Sequence, residues 1–296
     1  MAIRISALLA LCLGGLLPVM VAASEAVCVP QADGEPLCLD QPAKRVIALA
    51  PHLTESLFAV GAGGQVIAAV EYSDYPPEAS DLPSVGGHRG LDLEAIVRLD
   101  PDLIVAWAQG GNGAQLEKLE SMGFAVWRSQ GQRLADVPPL LRGLGALTGH
   151  ADQANAKAAD FEQRLADLTQ IYGQKTPISG FFEIWPNPLT TVTPEHYIGE
   201  AMALCGVENI VSHHGNTTPQ YSTEAVIKAA PALLITTEPA RDFNRWRNWP
   251  DIPAVANDGL IVLPPDLLVR IGPRLVEGVD MLCRAVDAVR ARQVEE

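Results

Sequence analysis

The side chains of this 296-residue chain that could do chemistry are few, and their spacing is informative. Six histidines are present and His213 and His214 are adjacent, but no H-x-x-x-H or H-x-H pair supplies metal-ligand spacing. Those two histidines therefore read as loop surface. No C-x-x-C pair points to zinc, and no G-x-S-x-G marks a nucleophile. Neither G-x-G-x-x-G nor G-x-x-x-x-G-K is present to cradle a phosphate. Gly110-Gly111-Asn112-Gly113 lacks the lysine and the spacing, and reads as a turn. Nothing here argues for an enzyme, a resident metal or a cofactor.

Binding chemistry is better represented. Only 5% of residues are aromatic, so aromatic side chains placed at the ends of strands carry information. Tyr72 and Tyr75 follow one apolar run, while Trp107 and Trp185 each end another. Tyr221 precedes a helix, and Trp246 and Trp249 sit in the polar stretch Arg241–Pro250. Flat apolar walls with a few polar tips suit a large planar ligand. The same positions also suit core residues capping their strands, and Trp246 and Trp249 suit local loop packing equally well. Glu94 and Glu224 form a second pair. Each opens a predicted helix, where a carboxylate meets the positive end of the helix dipole. On two matched lobes they would also be acidic knobs for a two-fold partner.

Apolar runs and helical periods alternate along the chain, which implies parallel sheets covered by helices. Strands are predicted at Arg45–Ala50, Val66–Val70, Leu103–Trp107 and Ala125–Arg128. A second set follows at Ile178–Trp185, Asn209–Val211, Leu233–Thr237 and Leu260–Leu263. Helices are predicted between them, at Thr54–Val60, Leu93–Leu99, Ala114–Met122, Leu140–Leu147, Tyr197–Leu204 and Glu224–Ala230, with a last one opened by Pro273. Between the two sets lies Ala151–Tyr172, free of Gly and Pro, with Ala154, Ala158, Phe161, Leu165, Leu168 and Tyr172 in one helical stripe. Residues 93–105 align without a gap onto residues 223–235, an offset of 130 that brackets this helix. Two similar lobes joined by one helix follow, with a cleft where the strand carboxyl ends face each other.

The chain opens with one arginine, an apolar run and the small-x-small site Val21-Ala22-Ala23, the pattern of a cleaved export signal. Residues 1–23 are expected to be signal peptide, 24–150 the first lobe, 151–173 the connecting helix and 174–296 the second lobe. A net charge of −14 argues against nucleic acid. Cys28, Cys38, Cys205 and Cys283 remain after cleavage, an even number that suggests two disulfides in an oxidising compartment. Three pairings are possible. Asp33-Gly34 is a hairpin-turn dipeptide that would set Cys28 opposite Cys38, leaving Cys205 for Cys283.

Three stretches carry a family resemblance: RVIALAPHLTESLFAVGAG, EYSDYPPEA and VGGHRGLDLEAIVRLDPDLIVAW. They resemble the periplasmic binding proteins of iron-siderophore and cobalamin ABC importers. YSDYPP, Leu204-Cys205-Gly206 with Asn209-Ile210, and Asp266, Arg270, Pro273-Arg274 and Leu282-Cys283 look like the cobalamin-binding branch. The resemblance implies two α/β lobes on one rigid helix, a monomer, and capture of a corrinoid without chemistry. It implies that Tyr72 and Trp107 meet the corrin ring, that Asp266 and Arg270 meet its amide side chains, and that Cys205 bonds Cys283. Glu94 and Glu224 would dock on arginines of the permease dimer, the one route by which the protein meets the membrane. His88 and Thr218 stand where the family's reference member has tryptophans; Trp185 and Tyr221 are candidates to compensate, and His88 is a candidate cleft-wall residue. Three alternatives stay open. A ferric-siderophore or haem binder would use Arg89, Arg241, Arg245 and Arg247, and a metal binder would use His52, His88 and His213. A chelatase-like enzyme shares a related fold.

Overall fold

The computed structural model describes residues 26–212, 215–238 and 243–294. The expected signal segment, His213, His214 and Arg241 lie outside the described residues. A short hairpin, β1 (Val27–Val29) and β2 (Leu37–Leu39), opens the described chain, with Cys28 directly opposite Cys38 and bonded to it. The first lobe holds β3 (Val46–Ala48), α1 (Pro51–Ala59), β4 (Val66–Ala69), the small hairpin β5 (Gly86–Gly87) and β6 (Gly90–Leu91), α2 (Leu93–Leu99), β7 (Leu103–Trp107), α3 (Gly113–Ser121), β8 (Val126–Ser129) and α4 (Val137–Thr148). Next comes α5 (Ala151–Tyr172). The second lobe holds β9 (Ile178–Glu183), the hairpin β10 (Trp185–Pro186) and β11 (Leu189–Thr190), α6 (Tyr197–Leu204), β12 (Val207–Asn209), α7 (Thr223–Ala229), β13 (Leu233–Thr236), α8 (Pro253–Ala256), β14 (Leu260–Val262), α9 (Pro265–Leu268) and α10 (Leu275–Val294).

Each lobe is a four-stranded parallel sheet, ordered β4-β3-β7-β8 in the first and β12-β9-β13-β14 in the second. In chain order both read second-first-third-fourth, so the internal repeat seen in the sequence extends to topology. It extends to local detail as well. In α2 the Asp92 side chain accepts the Ala95 amide, and in α7 the Ser222 side chain accepts the Ala225 amide. Each helix then ends on a non-glycine residue in the left-handed region, Asp100 at φ 45° and Ala230 at φ 47°, just before a proline. Proline cannot continue a helix, so the chain leaves each of the two helices sharply and enters the next strand.

The stripe on α5 is buried as its spacing predicts, except that Leu165 is half-buried. Ala154 and Ala158 are small because α4 lies close; a Cβ on Gly145 would collide with the Ala154 methyl. One apolar core runs from Val46 in the first sheet through Phe161 on α5 to Val289 on α10, so the two lobes share it. Each sheet also has a private core on its other face. Cys205 and Cys283 are bonded, tying α10 to the end of α6.

Some boundaries differ from the expected ones. Pro51 does more than stop β3: it occupies the first turn of α1, where its missing N–H costs nothing. The strand expected to reach Trp185 ends at Glu183, and Trp185 belongs to a separate two-residue arm. The strand expected at Asn209–Val211 lies two residues earlier, at Val207–Asn209.

Candidate functional site

In open parallel sheets a ligand site forms beyond the strand carboxyl ends, where the strand order reverses. Here that point lies between β3 and β7 in the first lobe and between β9 and β13 in the second. His52, in the first turn of α1 after β3, meets Trp107, the last residue of β7. Their ring centroids are 5.6 Å apart with the planes near perpendicular. Burial, helped by the Arg270 charge, pushes the His52 pKa down to about 4, so its imidazole is neutral. Neither His52 Nε2 nor the half-buried Trp107 Nε1 has a hydrogen-bond partner among the described residues. At the corresponding point of the second lobe Glu183, buried at the end of β9, accepts both Arg245 guanidinium nitrogens at 2.6 Å and the Trp246 indole N–H at 2.8 Å.

The rim is built from both lobes. Tyr72, Asp74 and Tyr75 occupy the loop after β4. Tyr72 has φ 65° and 71% of its surface exposed. Its carbonyl accepts Arg270 Nη2 at 3.3 Å, Arg270 Nη1 pairs with Asp74 at 2.8 Å, and Nη2 pairs with Asp266 at 3.1 Å. The hydrogen bond from Arg270 holds the Asp74 carboxyl below its usual range. Arg274 lies 3.4 Å from the Tyr75 ring centroid and pairs with the buried Glu55 at 2.7 Å. On the opposite edge Arg133, after β8, pairs with Glu200 of α6 at 2.6 Å, and the second Glu200 oxygen accepts the Leu134 amide at 2.9 Å. A cavity of about 640 Å³ beside that pair is lined by Gln132, Arg133, Leu165, Pro194 and Glu200.

The structure thus brings Tyr72, Asp266 and Arg270 into direct contact, and Ile271, next to Arg270, lies beside Trp107 across Gly131. His88 is exposed between β5 and β6, whose Gly86 carbonyl accepts the amide of Glu71, the neighbour of Tyr72. Trp185, with 53% of its surface exposed, pairs with Thr190, which bridges Gln220 beside Tyr221. Tyr221 is partly drawn into packing, its ring 5.7 Å from Phe181. Trp246 is fully buried on the Glu183 carboxylate, which settles it as a core residue, with the Trp249 ring tilted against it at 5.6 Å. Glu94 and Glu224 are exposed in the first turns of α2 and α7. Glu55, Asp74, Arg133, Glu183 and Glu200 were not singled out by sequence reasoning. Only Glu55 left a signal, as the charged residue in a helix that follows a fully buried strand.

Comparison with known proteins follows the same lines. Residues 46–267 match the family model described as periplasmic binding protein. A vitamin B12-binding protein of Vibrio cholerae serotype O1 is 36% identical over 244 residues, 82% of this chain and 88% of the relative. The crystal structure of a periplasmic vitamin B12-binding protein of Vibrio cholerae superposes with a TM-score of 0.79 at 35% identity, over 84% of this chain and 98% of that one. A periplasmic haem-binding protein from Pseudomonas aeruginosa shares the fold at a TM-score of 0.72 and 24% identity, over 82% of this chain and 92% of that one. Two parallel-sheet lobes on one helix and a family match spanning both sheets lead to one conclusion: the chain belongs to the periplasmic binding protein family.

Proposed function

We propose that this protein captures cobalamin, or a related corrinoid, in the periplasm and delivers it to the permease of an ABC importer. The observation that carries this reading is the 36% identity to a vitamin B12-binding protein along 88% of that relative. The haem-binding neighbour, at 24% identity, supports the fold alone. Tyr72 and Trp107 present apolar faces to the corrin ring from the first lobe. Arg270 and Asp266 offer donors and acceptors to its peripheral amides from the second. His88, Trp185 and Tyr221 complete the wall. The process is capture and release, with no bond made or broken in the ligand. The loaded monomer then offers Glu94 and Glu224, one on each lobe, to a two-fold permease. An export signal cleaved near Ala23 would place the mature chain in the periplasm.

Isothermal calorimetry on the mature protein with cyanocobalamin, hemin and a ferric siderophore tests the reading. Cyanocobalamin should bind in the micromolar range or tighter. Hemin or the siderophore binding in its place, with cyanocobalamin silent at tens of micromolar, would sink it.

A further inference from the structure

The loop that carries Tyr72 belongs to the first lobe but is gripped by the second. Two arginines four residues apart do this. Arg270 takes the Asp74 carboxylate at 2.8 Å and the Tyr72 carbonyl at 3.3 Å. Arg274 lies against the face of Tyr75 while holding Glu55. From its own lobe the loop is anchored at Ser73, whose hydroxyl accepts Thr54 Oγ1 at 3.0 Å. Tyr72 stands in the left-handed region, unusual for a non-glycine residue, and that conformation turns its carbonyl to Arg270 while its ring stays in solvent.

An arginine has five N–H donors. After the three contacts with Asp74, Asp266 and Tyr72, the remaining donors of Arg270 have no partner among the described residues and can serve a ligand, with the guanidinium already fixed in place. Fixing a long, rotamer-rich side chain before the ligand arrives lowers the entropy cost of binding. Asp266 cannot fix it across the cleft, because it sits on α9 in the same lobe as Arg270. Asp74 can.

We propose that Asp74 is a positioning residue: its cross-lobe ion pair with Arg270 assembles the Arg270 donors and the Tyr72 ring into one binding edge before ligand enters. This deepens the corrinoid reading and rests on Tyr72 and Arg270 as ligand contacts. Because cyanocobalamin carries no net charge, Asp74 acts on it through geometry and not by direct attraction.

The test measures cyanocobalamin affinity and dissociation rate for the wild type, Asp74→Asn, Asp74→Glu, Arg270→Ala, Tyr72→Ala and the Asp74→Asn/Arg270→Ala double variant, each checked for native circular dichroism. Asp74→Asn should weaken binding by about tenfold, mostly through faster dissociation, as expected when one partner of a hydrogen-bonded charge pair is removed. Asp74→Glu should recover part of the loss, and Asp74→Asn should add less than about twofold once Arg270 is alanine, because coupled residues are not additive. A purely structural ion pair would lower thermal stability without this non-additivity in dissociation rate. Asp74→Asn binding within twofold of wild type while Arg270→Ala is impaired overturns the proposal, and so does full additivity of the two. Wild type failing to bind, or Arg270→Ala and Tyr72→Ala both binding normally, overturns instead the ligand reading beneath it.

Discussion

Removing Arg274 should destabilise the whole protein, because the pair it makes is buried and spans the lobes. Glu55 lies on α1 with a side chain only 2% exposed, and its partner Arg274, 219 residues away, is 16% exposed. Arg274→Met keeps an apolar stem against Tyr75 but leaves the Glu55 carboxylate buried without its cation. One Glu55 oxygen already lacks a hydrogen-bond partner among the described residues, so little remains to solvate the charge. Breaking a buried pair in this way costs about 3–5 kcal/mol. For a chain of this size each kcal/mol corresponds to about 2–4 °C, so the melting temperature should fall by roughly 6–20 °C. The double variant Glu55→Leu/Arg274→Met removes both charges and should recover most of that loss, since an apolar pair is often no worse than a buried ion pair. Scanning calorimetry on the wild type, Arg274→Met, Glu55→Leu and the double variant supplies the cycle. A loss below about 1 kcal/mol for Arg274→Met would mean that water reaches the pair, and the argument from burial would be wrong.

Acid should weaken the fold through two histidines. His52 and His196 are both held down to about 4 by burial, against an ordinary value of 6.5. A neutral imidazole is what the folded state favours, so the stabilisation is complete above about pH 6.5 and is lost as pH falls through 4. For His52 the shift corresponds to about 3 kcal/mol, and His52→Asn should flatten the melting temperature between pH 7 and 4.5. Gly145→Val should cost about 1–3 kcal/mol in urea unfolding by driving α4 from α5, whereas Gly111→Ala, in open space but at φ 81°, should cost less. Free and cyanocobalamin-loaded protein should give nearly the same radius of gyration in small-angle scattering; a decrease of several per cent on loading would refute the fixed-cleft reading.

How much of this was legible in the sequence depended on how local the signal was. Ala151–Tyr172 was readable to its exact ends because an uninterrupted helical stripe has no competing period and a glycine follows it. The Cys28–Cys38 ladder was readable from one turn dipeptide between two cysteines. The offset of 130 was readable because α2 and α7 solve one local problem twice, with a capped start and a proline stop. The hairpins at Gly86–Leu91 and Trp185–Thr190 were not, since two-residue arms carry no alternation to detect. Trp246 was undecidable for a different reason: an indole in a polar loop is drawn inward only if a buried acceptor waits for its N–H, and Glu183 is 63 residues away. The ion pairs across the cleft left least trace of all, because an arginine and a carboxylate separated by 67 or more residues have no pattern to share.

Those unreadable pairs change how the cleft is understood. The connecting helix explains why the lobes stay near each other, but one helix alone would still let them twist. Arg133–Glu200 ties the segment after the outer strand β8 to α6, which leads into the outer strand β12, and Asp74–Arg270 ties the loop after β4 to the segment that follows β14. Between them Arg274 of the second lobe reaches Glu55 on α1, and the switch points hold His52 and Trp107 in the first lobe and the Glu183–Arg245 pair, with Trp185 nearby, in the second. Twisting the lobes would have to break one edge pair or the other, and opening them would have to expose part of the shared core around Phe161. The proposed ligand slot therefore has its ends fixed by charge pairs, with aromatic side chains between them. That division would hold Arg270 and Tyr72 in place at one end before the proposed ligand arrives and leave the aromatic side chains of the centre to select it.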